Sequence, residues 1–168
     1  MSIRTPHEQF NAWIARARTD LDMLATETPE GRIAYAGIPW YVAPFGRDSL
    51  ITALQMLPFE PALARGTLRF LARHQGTEED AFTDQEPGKI LHEYRKGELA
   101  ACREIAFIPY YGSVDATPLF VMLVAEYVLH AFAIEAADQQ LGAGHCCTPH
   151  LRCRKRVRPP ARSISTCC

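Results

Sequence analysis

Residues 119–138 read LFVMLVAEYVLHAFAIEAAD, apolar at nearly every position, with only Glu126, His130, Glu135 and Asp138 carrying charge or an imidazole. A stretch of that length without Gly or Pro is a helix. Asp115 or Thr117 stands where a cap belongs. Pro118 suits the first turn, where its missing N–H is no loss. A helix apolar nearly all round is expected to be buried on more than one side, so this one reads as an inner helix of an all-α body.

The same pattern recurs upstream in a shorter form. SLITALQML (49–57) has an apolar face of Leu50, Ile51, Leu54 and Leu57, begins near Asp48 and is ended by Pro58. Residues 61–74 form an amphipathic helix with Leu63, Ala64, Thr67, Leu68 and Leu71 on one face. Residues 5–26 form another. Thr5 is its expected cap, Pro6 lies in the first turn, Glu8 completes a capping box, and Phe10, Trp13, Ile14, Ala17, Leu21 and Leu24 fall at helical spacing. RIAYAGIPWYVAPFG (32–46) is rich in aromatics, Pro and Gly and reads as a strand or ordered loop. Residues 75–113 show little periodicity, and a loop that long inside a compact domain is usually functional or poorly ordered. Asp48 and Asp115 each open an apolar helix, 67 residues apart. The order is inner helix, outer helix, loop, inner helix. It implies stacked helical hairpins with both aspartates on one rim.

The net charge of −1 conceals an asymmetry. Residues 1–141 hold 12 basic and 19 acidic residues, whereas 142–168 hold six basic residues and no Asp or Glu. Cysteines divide the same way, with Cys102 in the body and Cys146, Cys147, Cys153, Cys167 and Cys168 in the tail. No uninterrupted apolar run reaches the roughly 18 residues that span a bilayer, and MSIRTPHEQF lacks the apolar stretch of a secretory signal. The expectation is a cytoplasmic chain without a membrane partner.

Three segments gather polar groups beside Gly and aromatics: Trp40–Ser49, Gly88–Arg95 and Tyr110–Thr117. Asp48 and Asp115 taken singly read most simply as helix caps. Taken together, the segments have the composition of a sugar site. Arg supplies fixed donors, Asp accepts from hydroxyls, and the faces of Trp40, Tyr41 and Tyr111 offer platforms for a pyranose ring.

The phrases GIPWYVAPFGRDSLITAL (37–54), EPGKILHEYRKGELA (86–100) and YYGSVDATPLFVML (110–123) resemble segments of bacterial amylo-α-1,6-glucosidases, the glucosidase part of glycogen-debranching enzymes. The resemblance covers about residues 5–141. It implies a partial (α/α)6 barrel and inverting hydrolysis of α-glucosidic bonds in branched glucans, with an α-glucan or oligosaccharide as partner and neither cofactor nor metal. It also implies that Arg47 and Asp48 hold the hydroxyls of a terminal glucose, that Asp115 is the general acid, and that the His92–Glu93 loop, with Arg95, Trp40 and Tyr111, lines the site. Glu93 is the alternative acid. An inverting glycosidase needs two carboxyl groups about 6.5–9.5 Å apart. A carboxylate at a helix start is stabilised in its ionised form, which opposes Asp115 as an acid unless burial or a neighbouring carboxylate such as Glu93 offsets it.

The family's base lies in the last hairpins of the barrel, and nothing here corresponds to it. Six repeats of this length need roughly 400 residues, so the chain is expected to be an inactive fragment, poorly soluble or partly molten because inner-helix faces stay in water. The body is taken as 1–141 and the tail as 142–168. The tail GAGHCCTPHLRCRKRVRPPARSISTCC lacks the paired ligand spacing of structural zinc sites. Its Arg run leaves open a nucleic-acid arm, though the favoured partner set holds no nucleic acid. Sudden Arg, Pro and Cys enrichment without acids or periodicity fits translation out of frame. A carbohydrate-binding fragment without catalysis, or a helical interaction module with a basic tail, are the alternatives to a glycosidase.

Overall fold

The helix expected over 61–74 forms over Pro61–Arg73 and organises the core. The computed structural model describes residues 4–143, with side chains as far as Ala137. In chain order the elements are α1 (Glu8–Leu24), β1 (Ala25–Thr28), β2 (Gly31–Ala34), α2 (Gly46–Met56), α3 (Pro61–Arg73), α4 (Glu98–Ala101) and α5 (Ala116–Ala143). The chain divides into two compact units, Met1–Ile134 and Glu135–Cys168. Of the second unit only the end of α5 is described. The zinc, nucleic-acid-arm and out-of-frame readings of the tail fall outside the described residues.

The fold is mostly helical with one small antiparallel sheet, β1 paired with β2 in the register Ala25↔Ala34 to Thr28↔Gly31. β2 lies at the start of the stretch read as a strand or ordered loop (32–46), but its partner β1, and with it a sheet, was not expected. Its physical cause lies in α3, which buries Leu63, Ala64, Gly66, Thr67, Phe70 and Leu71. At Gly66 an added Cβ would meet the Arg32 carbonyl at 2.1 Å, so the missing side chain is what lets β2 lie against the helix. Ile33 and Ala34 then become buried. Ser49 of α2 donates to the Ala34 carbonyl at 2.6 Å. Arg32 reaches outward to Glu60 at 2.7 Å and Asp22 at 2.8 Å, tying α1 to the α2–α3 connection.

The core draws Ile33 from β2, Leu50, Ala53 and Leu57 from α2 and its end, and Ala64, Phe70 and Leu71 from α3. Ile90, Leu91 and Tyr111 from the long connection join them, with Ala116 and Leu123 from α5. Each large apolar side chain buried this way contributes about 1.5–3 kcal/mol. The expected face of α2 is rotated. Leu50 and Leu57 are buried as expected, but Ser49 and Ala53 complete the face and Ile51 is exposed.

Two expectations at helix ends and faces are corrected. The cap of α1 is His7, whose ring nitrogen accepts from the Phe10 N–H at 3.4 Å. Thr5 is instead clasped by Asn11, through Thr5 N–H to Oδ1 and Asn11 Nδ2 to the Thr5 carbonyl, both at 2.8 Å. The Thr5–Glu8 capping box therefore does not form. Helix α5 is not buried on several sides. Leu123 and Ala116 are buried and Leu119, Phe120 and Tyr127 partly so, while Val121, Met122, Val128, Leu129 and Phe132 stand in solvent. By length and composition Ala116–Ala137 is apolar enough to cross a membrane, with Glu126, His130 and Glu135 the interruptions that keep it from being an unbroken apolar run.

Candidate functional site

The long connection is irregular yet pinned. Phe45 bridges Glu93, and Glu93 bridges Tyr110, each antiparallel. The bonds that do this are Gly46 N–H to the His92 carbonyl (2.8 Å), Tyr94 N–H to the Pro44 carbonyl (3.2 Å), Tyr110 N–H to the Glu93 carbonyl (2.9 Å) and His92 N–H to the Tyr110 carbonyl (2.8 Å). Ile90 N–H adds a bond to the Thr117 hydroxyl at 3.1 Å. The three polar segments singled out in sequence thus lie side by side as a narrow backbone ladder. Gly46 makes the close approach possible, since a Cβ there would sit 1.9 Å from the Leu91 carbonyl oxygen.

The ladder brings the starts of α2 and α5 together. Arg47 Nη1 donates to Asp115 Oδ2 at 3.3 Å, across 68 residues of sequence. Both side chains remain partly open, at 50% and 37% exposure, so a ligand can reach them. Ser113 donates its hydroxyl to Asp115 Oδ1 and also accepts from the Ala116 N–H at 3.3 Å. Through the Ser113 hydrogen bond first, and then Arg47, the Asp115 carboxyl is held below the usual carboxylate range. Asp48 is half-buried in the first turn of α2 and makes no side-chain hydrogen bond among the described residues, so both oxygens are available to an incoming donor.

The other expected site residues separate into two groups. Glu93 is 5% exposed and pairs with Arg95 Nε. Arg95 also donates from Nη1 to the Trp40 carbonyl at 3.3 Å and lies over the Phe45 ring. Trp40 is 77% exposed and, with Arg95, lines a cavity of about 460 Å³. Arg47, Asp48 and Asp115 do not line that cavity. His92 and Tyr111 are built into the scaffold. The His92 ring stands edge-on to Phe45 and Tyr110, each 5.9 Å away, with its Nδ1 buried and without a partner among the described residues. Tyr111 is 3% exposed and donates its hydroxyl to the His74 carbonyl at 2.8 Å, so its ring faces the core and offers no platform to a ligand. Tyr41, by contrast, is half exposed beside Phe45.

Sequence reading missed Ser113, Tyr94 and His74. Ser113 lies two residues before Asp115 in a quoted phrase, and that S-x-D spacing is the signal available for it. Tyr94 lay in a quoted segment without a role. His74 ends an ordinary amphipathic helix and carries no signal. Among the described residues no three His, Cys, Asp or Glu side chains converge as a metal ion requires. No protein-family model matches this chain, and no curated protein matches it.

Proposed function

We propose that this chain is the sugar-holding part of an α-helical glycoside hydrolase of the amylo-α-1,6-glucosidase type, one arc of an (α/α)6 barrel whose reaction is inverting hydrolysis of α-glucosidic bonds in branched glucans. On this reading the chain by itself binds glucose and does not turn substrate over. The observation that carries it is the meeting of Arg47 and Asp115 at two helix starts that the backbone ladder draws together.

The chemistry follows from those groups. Arg47 offers a rigid fork of donors, and Asp115 and Asp48 accept from hydroxyls, a set matched to adjacent hydroxyls of a pyranose. As general acid, Asp115 has to give a proton to the leaving oxygen. In the free protein it is held ionised by Ser113 and then Arg47, so proton donation requires that bound sugar first displace the Ser113 hydrogen bond and draw Arg47 away. Glu93, the alternative acid, is buried and committed to Arg95, with no open approach to a leaving oxygen. A base is expected from later hairpins of the barrel.

Calorimetric titration with glucose, alongside glucose release from a branched dextrin, tests the reading. The wild-type chain should bind without release, Arg47→Ala should weaken binding at least tenfold, and Asp115→Asn should keep much of it. Absence of sugar binding, together with salt-dependent DNA binding lost on deleting 142–168, would replace this reading with that of a helical interaction module.

A further inference from the structure

Helix α1 buries none of its residues, yet Ile14, Ala17 and Leu21 form an apolar stripe at helical spacing. That stripe lines a cavity of about 640 Å³ whose other wall is Met56 and Phe59, at the α2–α3 connection. The volume lies within the range of small-molecule sites, roughly 300–1,000 Å³. Both ends of the cavity are fixed. At one end Arg32 joins Asp22 of α1 to Glu60, at 2.8 and 2.7 Å. At the other, Asn11 clasps the Thr5 backbone, which sets Arg4 at the mouth. Phe59 is 47% exposed, and an apolar wall left in water gains by being covered.

Charge along the cavity says what covers it. The carboxylates of Asp22 and Glu60 are already engaged by Arg32. Arg4 and Arg18 line the same cavity, are exposed, and form no ion pair among the described residues. The uncommitted charges are therefore cationic, and a guanidinium takes a carboxylate through two parallel bonds. A head group with one negative charge suits the place better than a phosphate with two, since Asp22 and Glu60 stand at the far end. The lining follows α1 from Asn11 to Asp22, about 16 Å at the helical rise. That length suits a chain rather than a ring.

We infer that this cavity binds a medium-chain alkyl carboxylate, its chain between the α1 stripe and the Met56–Phe59 wall and its head group at Arg4 and Arg18. Arg47, Asp48 and Asp115 do not line it, so this binding is independent of the glucan reading.

The test is calorimetric titration of the full chain with hexanoate, octanoate, 1-octanol and octylammonium. Octanoate should saturate a single site and bind about fourfold more tightly for each methylene it has beyond hexanoate. It should exceed 1-octanol by about fivefold, the advantage of an exposed ion pair, and octylammonium should bind more weakly than either. Arg4→Ala combined with Arg18→Ala should bring octanoate down to the level of 1-octanol and leave 1-octanol unchanged. Ile14→Gln should weaken both ligands and stay folded by circular dichroism, because α1 buries nothing. Phe132→Ala, on the exposed face of α5, should weaken neither. Lack of saturable octanoate binding, equal affinity for octanoate and 1-octanol in the wild type, or octanoate affinity that survives Ile14→Gln or is lost in Phe132→Ala overturns the site.

Discussion

Replacing Gly46 by alanine strikes the point where the first site segment meets the second. The new Cβ would lie 1.9 Å from the Leu91 carbonyl oxygen, where side-chain carbons stay beyond 3.0 Å. The segments must part by about 1 Å. That stretches the 2.8 Å bond from the Gly46 N–H to the His92 carbonyl out of hydrogen-bonding range. Overpacking costs about 1–3 kcal/mol and an orphaned buried donor about 1–3 kcal/mol. The helix preference of Ala over Gly returns at most about 1 kcal/mol. The net loss is about 1–5 kcal/mol, a sizeable part of the roughly 5–15 kcal/mol that holds a domain together. Urea unfolding followed by circular dichroism measures it, with Gly97→Ala as a control because a Cβ there meets nothing within 4 Å. Arg47 is the next residue, so glucose affinity should fall with stability. A Gly46→Ala protein within about 0.5 kcal/mol of wild type, and binding sugar equally well, would refute the ladder as the structure that builds the site.

Other contacts around the site and the core set further outcomes. Tyr111→Phe removes one hydrogen bond to the His74 carbonyl, so it should cost about 1 kcal/mol in urea and leave sugar affinity unchanged, since the ring faces the core. Ser113→Ala removes the largest influence lowering the Asp115 pKa, so its titration midpoint, read by carbon NMR, should move up towards the ordinary carboxylate value near 4. With a depressed folded pKa, the stabilisation from Asp115 is present above its unfolded pKa and is lost as pH falls through the folded value. It should fade at higher pH in Ser113→Ala than in wild type. Leu123→Ala should cost about 2–5 kcal/mol because Leu123 is fully buried, whereas Phe132→Ala, at 64% exposure, should stay within about 0.5 kcal/mol and reduce self-association measured by light scattering.

Helices α2 and α3 were legible because each carries its own apolar period, and α5 because its long apolar run holds no Gly or Pro after Pro118, its start following from Asp115, Thr117 and Pro118. The sheet was not. Ala25–Thr28 has no alternation of its own, and its pairing depends on Gly66, more than thirty residues away, leaving room for the Arg32 backbone. The capping box at Thr5 failed because Asn11 offered that threonine better-placed partners than the helix did. The exposed face of α5 looks the same in sequence as a buried one. At the site, the nearness of the α2 and α5 starts was anticipated from the repeat, but the ion pair that joins Arg47 to Asp115 was not. Tyr111 was misjudged as a platform because an aromatic beside Gly reads alike whether its ring turns inward or out. The bridges at Phe45, Glu93 and Tyr110 have no period to detect, being single contacts between irregular strands.

Diffraction from crystals soaked in an α-1,6-linked glucose disaccharide puts the central claim to the most direct test. The account predicts a terminal glucose ring with hydroxyls within hydrogen-bonding distance of the Arg47 guanidinium and the Asp115 carboxylate. A sugar found elsewhere on the chain, with the Arg47–Asp115 pair still closed on itself, would contradict it.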